Sequence, residues 1–273
     1  MTLASRRAWN FAAAALAATL LGAVVALYDL SLRDAAFLSG WTLAVGVVFL
    51  ALYNARKKLP FLPLIKSAYW LQAHLYVGLV AIVAFLIHTG AVLPNGPLET
   101  ALWLLFVVVA LSGLAGIVLS RHLAARLRQH GERLIFERIP TFRARLAAEV
   151  EDLASRSVSE TGSSTIAQYY ASKLQPHLRR PRNLFAHLRE SKEPLQAMCR
   201  EIGSLERYLD ADGRRILDEI EARVIAKDNL DYQYTLQLVL KGWLFVHIAL
   251  TYAMILTALV HIVLAYAFTG GTL

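Results

Sequence analysis

The chain has 273 residues, of which 57% are hydrophobic, and a mean hydropathy of +0.47. That is too apolar for an ordinary soluble domain, and the apolar residues gather in blocks long enough to cross a bilayer, which takes roughly 20 helical residues. The formal charge of +8 follows from Lys and Arg enrichment in cytoplasmic loops and gives no argument for nucleic acid. The single cysteine, Cys199, excludes an internal disulfide, a zinc cluster and an iron–sulfur site.

In chain order, the apolar blocks predict five spanning helices at about 8–28, 39–55, 68–90, 99–120 and 235–268. The first follows Arg6 and Arg7 and has the look of a signal peptide. Its apolar run from Phe11 to Tyr28 is longer than a usual signal core, so it reads as a retained helix. Arg56, Lys57, Lys58 and Lys66 lie between the second and third helices, and the 29–38 loop on the opposite side carries only Arg33. The loop "TGAVLPNGPLET" before the fourth helix has no base at all. The positive-inside rule then places the N-terminus, the 56–67 loop and the polar stretch 121–234 in the cytoplasm, with the C-terminus outside. A bacterial inner membrane is the expected location.

The 121–234 stretch holds 20 Lys and Arg against 17 Asp and Glu. "IPTFRARLAAEVEDLASRS" has apolar residues at helical spacing, and the segment from Gly213 runs as helix straight into the fifth span. "SVSETGSST" and "LRRPRN" read as loops. Neither GxGxxG nor GxxxxGK[ST] occurs, so no nucleotide loop is expected. The predicted fold class is an all-α integral membrane bundle with a helical cytoplasmic insertion between helices four and five. Its domains are 1–120, 121–234 and 235–273.

The histidines carry the chemistry. Of eight, His122, His130, His177 and His187 lie in or beside the insertion, where His122 reads as interfacial and the other three as solvated helix residues. His74, His88, His247 and His261 lie inside predicted spans, and each helix carries its two at an interval of fourteen. Fourteen helical residues rise roughly 21 Å and bring the second imidazole to within about 40° of the first. Helices three and five run parallel because the fourth returns the chain between them. His74 then faces His247 and His88 faces His261. Two facing neutral imidazoles make the axial pair of a six-coordinate haem, and cofactors sit between facing helices of bundles. Gly46, Gly78, Gly113 and Gly116, with Ala249, Ala253 and Ala258, offer room for a macrocycle. Lys66, Lys241 and Arg121 stand where haem propionates or anionic lipid would meet them. Tyr252 and Met254, between the histidines of helix five, read as packing residues.

Paired histidines at this interval on two helices separated by one span resemble the four-helix di-haem core of the cytochrome b family. The resemblance covers roughly 39–120 and 235–268. It implies His74, His88, His247 and His261 as ligands of two non-covalent b-type haems. The insertion is far longer than that family has there, and no quinone-site motif of the "PEW" kind follows. The expected function is transmembrane electron transfer as a subunit of a larger redox complex, to or from quinone. Expected partners are a flavoprotein, an iron–sulfur protein or a multihaem c-type cytochrome, and membrane lipid. Two other classes remain open: a ferric-reductase-like chain passing electrons from a flavoprotein to an acceptor at the outer face, and a haem-free membrane scaffold or sensor.

Overall fold

The computed structural model describes residues 3–31, 34–58, 67–129 and 134–268. Among these every regular element is helical, and five helices are long and apolar enough to cross a membrane. The fold is an all-α, multi-pass membrane bundle. The spanning helices are α1 (Leu3–Leu30), α2 (Ala35–Lys58), α3 (Ser67–Thr89), α4 (Pro97–Gln129) and a final helix of 58 residues, α10 (Ala211–Phe268). Between α4 and α10 lie α5 (Ile139–Thr161), α6 (Thr165–Tyr169), α7 (Gln175–Arg179), α8 (Leu184–Leu188) and α9 (Glu193–Gly203).

The chain divides into two compact units, Met1–Ile117 with Leu244–Leu273, and Val118–Trp243. The sequence placed these boundaries at 120/121 and 234/235. On α10 the division falls later because residues 235–243 belong to the insertion. Leu236, Val239 and Leu240 pack with Leu123 and Leu127, and the Gln237 amide donates to Leu134 O at 3.0 Å.

In the membrane unit, local chemistry sets where helices begin and stop. Asp34 Oδ1 accepts the Ala36 N–H at 2.9 Å, capping α2 four residues before its expected start. At the end of α3, Gly90 and Ala91 take left-handed backbone at φ 61° and 56°. Ala91 N–H reaches Leu86 O and Gly90 N–H reaches Ile87 O, the crossed pair of a Schellman stop. Pro97 opens α4, where its missing N–H is no loss. Side-chain bonds give the helix directions. Ser39 meets His88 while Leu50 O meets His74, so α2 and α3 are antiparallel. Trp41 donates to Tyr266 while Asn54 donates to Tyr252, so α2 and α10 are antiparallel too. Helices α3 and α10 therefore run parallel. Val47, Phe85, Phe106 and Met254 bring α2, α3, α4 and α10 into one core, and Phe85 stacks on Phe106 at 4.0 Å.

The insertion unit has a separate core. Val150, Leu153 and Ala154 of α5, at helical spacing, close on Ile166, Leu174, Leu178 and Ile202 and on Ile216, Ile220 and Val224 of α10. Beside it lies a buried charge cluster. Lys227 and Asp231, one turn apart and both sealed from solvent, meet at 2.6 Å. Asp231 also accepts the Arg182 N–H at 2.9 Å and faces Arg143 at 3.8 Å. Arg126 donates to the carbonyls of His187 and Leu188 and to the Tyr232 hydroxyl. His187 is buried here, 3.7 Å from Asp228, and not solvated as the sequence suggested. Burial holds it below its ordinary pKa against the pull of Asp228. His177 is half-buried too, and burial, then Lys227 and Arg182, pushes it down to about 4.

Two measurements check this unit. Removing one charge of the buried pair, as in Lys227→Met or Asp231→Asn, leaves the other without its nearest partner and is expected to destabilise the insertion by up to about 3–5 kcal/mol. The double change Lys227→Met with Asp231→Asn, which keeps an acceptor for the Arg182 N–H, is expected to recover part of that, read by hydrogen exchange across α5 in the intact protein. The second concerns pH. Unfolded His177 takes a proton below about 6.5, whereas the folded residue stays neutral down to about 4. Its contribution is fully present above about pH 6.5 and is lost as pH falls toward 4. His177→Asn should flatten that part of a stability–pH curve.

Candidate functional site

The four intramembrane histidines all fall in the membrane unit, two on α3 and two on α10. His88 sits in the last turn of α3, just before the Schellman stop. Its Nδ1 lies 3.1 Å from Ser39 Oγ. That hydroxyl also reaches back to Ala35 O at 2.9 Å and Ala36 O at 3.1 Å. A serine has one proton to give. With it given to the helix, Oγ accepts from the ring, so His88 carries its proton on Nδ1 and its lone pair on Nε2. A Cβ on Gly40 would stand 2.9 Å from His88 Cε1, so only glycine fits beside this imidazole.

His247 repeats the arrangement against α4. Its Nδ1 lies 2.5 Å from Ser112 Oγ, and Ser112 in turn donates to Val109 O at 3.0 Å. The next residue, Gly113, faces the same ring, with His247 Cε1 at 3.7 Å from a Cβ built there. His74 points Nδ1 at Leu50 O, 3.2 Å away. A carbonyl only accepts, so the ring must donate, which again leaves the lone pair on Nε2. The Tyr53 ring lies 5.3 Å from it, tilted at 44°.

His88 and His261 come together across α3 and α10, with ring centres 6.5 Å apart and planes at 84°. Two imidazoles that share one metal through nitrogens about 2 Å from it have ring centres about 6 Å apart, and this pair has that spacing. Both rings line a cavity of about 590 Å³ whose walls include Gly40, Phe85, Phe106 and Met254. That lies within the range of cofactor pockets, roughly 300–1,000 Å³. One turn before His74, the buried Trp70 indole N–H has no hydrogen-bond partner while its ring stacks on Phe49 at 5.5 Å. Such a donor suits an acceptor that a ligand brings.

Among the described residues no group of three or more His, Cys, Asp or Glu gathers that could hold a bare ion. His88 and His261 are the histidines that meet ring to ring, whereas His74 lies against Leu50 O and Tyr53 and His247 against Ser112. The remaining sequence candidates fall elsewhere. Lys241 pairs with Glu137 and lies over the Phe136 ring, within the insertion unit. Lys66 and His130 lie outside the described residues, and His122 is exposed. Met254 packs in the core, and the Tyr252 hydroxyl takes a bond from Asn54. Gly46 and Gly78 meet nothing closer than 4.0 Å in the space a Cβ would take, whereas Gly40, which sequence reasoning passed over, sits tight against a ring. Sequence alone does not single out Ser39 and Ser112 either. The signal was present as a repeated triplet, Leu38-Ser39-Gly40 on α2 and Leu111-Ser112-Gly113 on α4.

No family model, curated protein or solved structure matches the chain.

Gly40→Ala is expected to displace the His88 ring and break its bond to Ser39. The His88 Nδ1 nitrogen resonance would then lose its hydrogen-bonded position. Gly46→Ala, in open space, is expected to leave that resonance where it is.

Proposed function

We propose that the chain is a membrane-embedded di-haem b-type cytochrome, carrying electrons across the bilayer as one subunit of a larger redox complex. The observation that carries this reading is the His88–His261 pair, with ring centres 6.5 Å apart in a cavity of about 590 Å³. The residues present fit the group. Both His88 and His261 line the cavity, Gly40 leaves the His88 ring space that no side chain fills, and the tautomer set by Ser39 presents Nε2. His74 with His247 would hold the second haem, since His74 and His88 are fourteen residues apart on α3, as His247 and His261 are on α10. Trp70 offers its unpartnered N–H to a propionate at that end.

When bound, haem supplies one-electron exchange between ferric and ferrous iron. The protein's part is to hold the imidazoles, fix their tautomers and exclude water. Leu50 O and the two serines do the first two. Phe85, Phe106, Val47 and Met254 form the dry core beside the cavity. Four turns between the histidines of one helix set the two pairs roughly 21 Å apart along it. On the positive-inside rule the His74–His247 end would face the cytoplasm and the His88–His261 end the outside. The insertion then faces the cytoplasm of a bacterial cell as a docking surface for an electron-carrying partner: a flavoprotein, an iron–sulfur protein or a multihaem c-type cytochrome. Quinone is the small-molecule partner this reading calls for.

Purified protein is expected to show a sharp, dithionite-dependent b-type α-band and two haems per chain by pyridine haemochrome. His88→Ala or His261→Ala removes one haem, and His74→Ala or His247→Ala the other. A wild-type protein without the band ends the reading, and loss of both haems from a single change argues against two separate pairs.

A further inference from the structure

Two serines on two different helices make the same unusual pair of contacts. Each reaches back with its hydroxyl to a carbonyl three or four residues earlier, and each also touches Nδ1 of an intramembrane histidine on a neighbouring helix. Each is followed by a glycine that faces Cε1 of that same ring. The Leu-Ser-Gly triplet occurs at 38–40 and 111–113. It serves one histidine of each predicted axial pair, His88 from the first and His247 from the second. Back-bonding alone needs no histidine, and a histidine in a helix needs no glycine opposite it. The two features meet at both places.

We propose that Ser39 and Ser112 are positioning residues that lock His88 and His247 with Nδ1 protonated and Nε2 toward the metal, and so tune two haems separately. The proposal rests on the di-haem reading and adds to it which residues set each potential. The physical chain is short. A carbonyl three or four residues back holds the hydroxyl proton, which leaves Oγ to accept. An Nδ1–H that donates makes the imidazole a stronger electron donor through Nε2, and such partners beyond the ligands typically matter by 10–100-fold in metal affinity. A stronger donor favours ferric over ferrous iron and lowers the potential. On α2 the close approach needs glycine, since a Cβ on Gly40 would stand 2.9 Å from His88 Cε1, whereas one on Gly113 would meet His247 Cε1 at an ordinary 3.7 Å.

The test is redox titration of the whole protein with Ser39→Ala, Ser112→Ala and the hydroxyl-keeping Ser39→Thr and Ser112→Thr. Ser39→Ala should raise the potential of the haem that His88→Ala removes and leave the other unchanged. Ser112→Ala should do the converse. A tenfold loss of ferric over ferrous affinity reads as about 59 mV upward. Loss of that one haem alone from the Ala variant, with retention in the Thr variant, counts equally in favour. Potentials that move in neither Ala variant, that move together in both, or that shift as far in the Thr variants overturn the proposal. Those results would come from a protein still showing two haems, whereas a wild type with no b-type spectrum removes the di-haem reading itself.

Discussion

An imidazole inside a bilayer has to find partners, because hydrocarbon offers none and an unsatisfied polar group there is strongly disfavoured. Much of the membrane unit follows from meeting that demand. The Nδ1 atoms of His74 and His88 are both met from α2, by Leu50 O and Ser39, and that of His247 is met from α4 by Ser112. The two serines serve twice, satisfying their own helix and a ring at once, so α2 and α4 bring in few extra polar atoms. With α2 antiparallel to both α3 and α10, the two histidine helices have to run the same way. The pair formed by His88 and His261 is then a consequence of directions that the support contacts have already set.

The insertion unit meets its polar demand differently. Lys227 and Asp231 neutralise each other out of water, with Arg143, His187 and Asp228 beside them and the Arg182 backbone N–H on Asp231. A buried ion pair of this kind adds little net stability over an apolar pair, but breaking it by halves is strongly destabilising. Its effect is selectivity. Asp231 on α10 fixes the backbone of the loop before α8, and Arg126 fixes its far end through the carbonyls of His187 and Leu188. Helix α8 is only five residues long. Such a short helix holds its place through these bonds more than through its own hydrogen bonding.

The spans were legible because twenty apolar residues in a row leave the backbone no other structure in lipid. The intervals of fourteen were legible because a helix repeats its faces at known angles. The Schellman stop could be anticipated from "HTG" only in outline, since Ala91 joins Gly90 in left-handed backbone. What escaped was whatever depends on a neighbour along another helix. A serine in a membrane helix looks like a back-bonded residue, and Gly40 looks like any membrane glycine until the His88 ring is seen against it. The burial of His177 and His187 escaped for the same reason. Their segments are polar and short, and the groups that meet them, Tyr232 and Asp228 at His187 and Lys227 at His177, come from α10, more than forty residues further on.

The membrane unit is discontinuous in sequence, and that has a consequence in time. Residues up to Ile117 belong to it, and so do those from Leu244, but a whole second unit is made between them. His261 leaves the ribosome 173 residues after His88. At about 5–20 residues per second that is an interval of roughly ten to thirty seconds. Throughout it, α2 and α3, with Ser39 and His88, are already made and His261 is not. The last helix to be made completes the His88–His261 pair, so the earliest moment at which these two rings can meet is set by the length of the insertion between them.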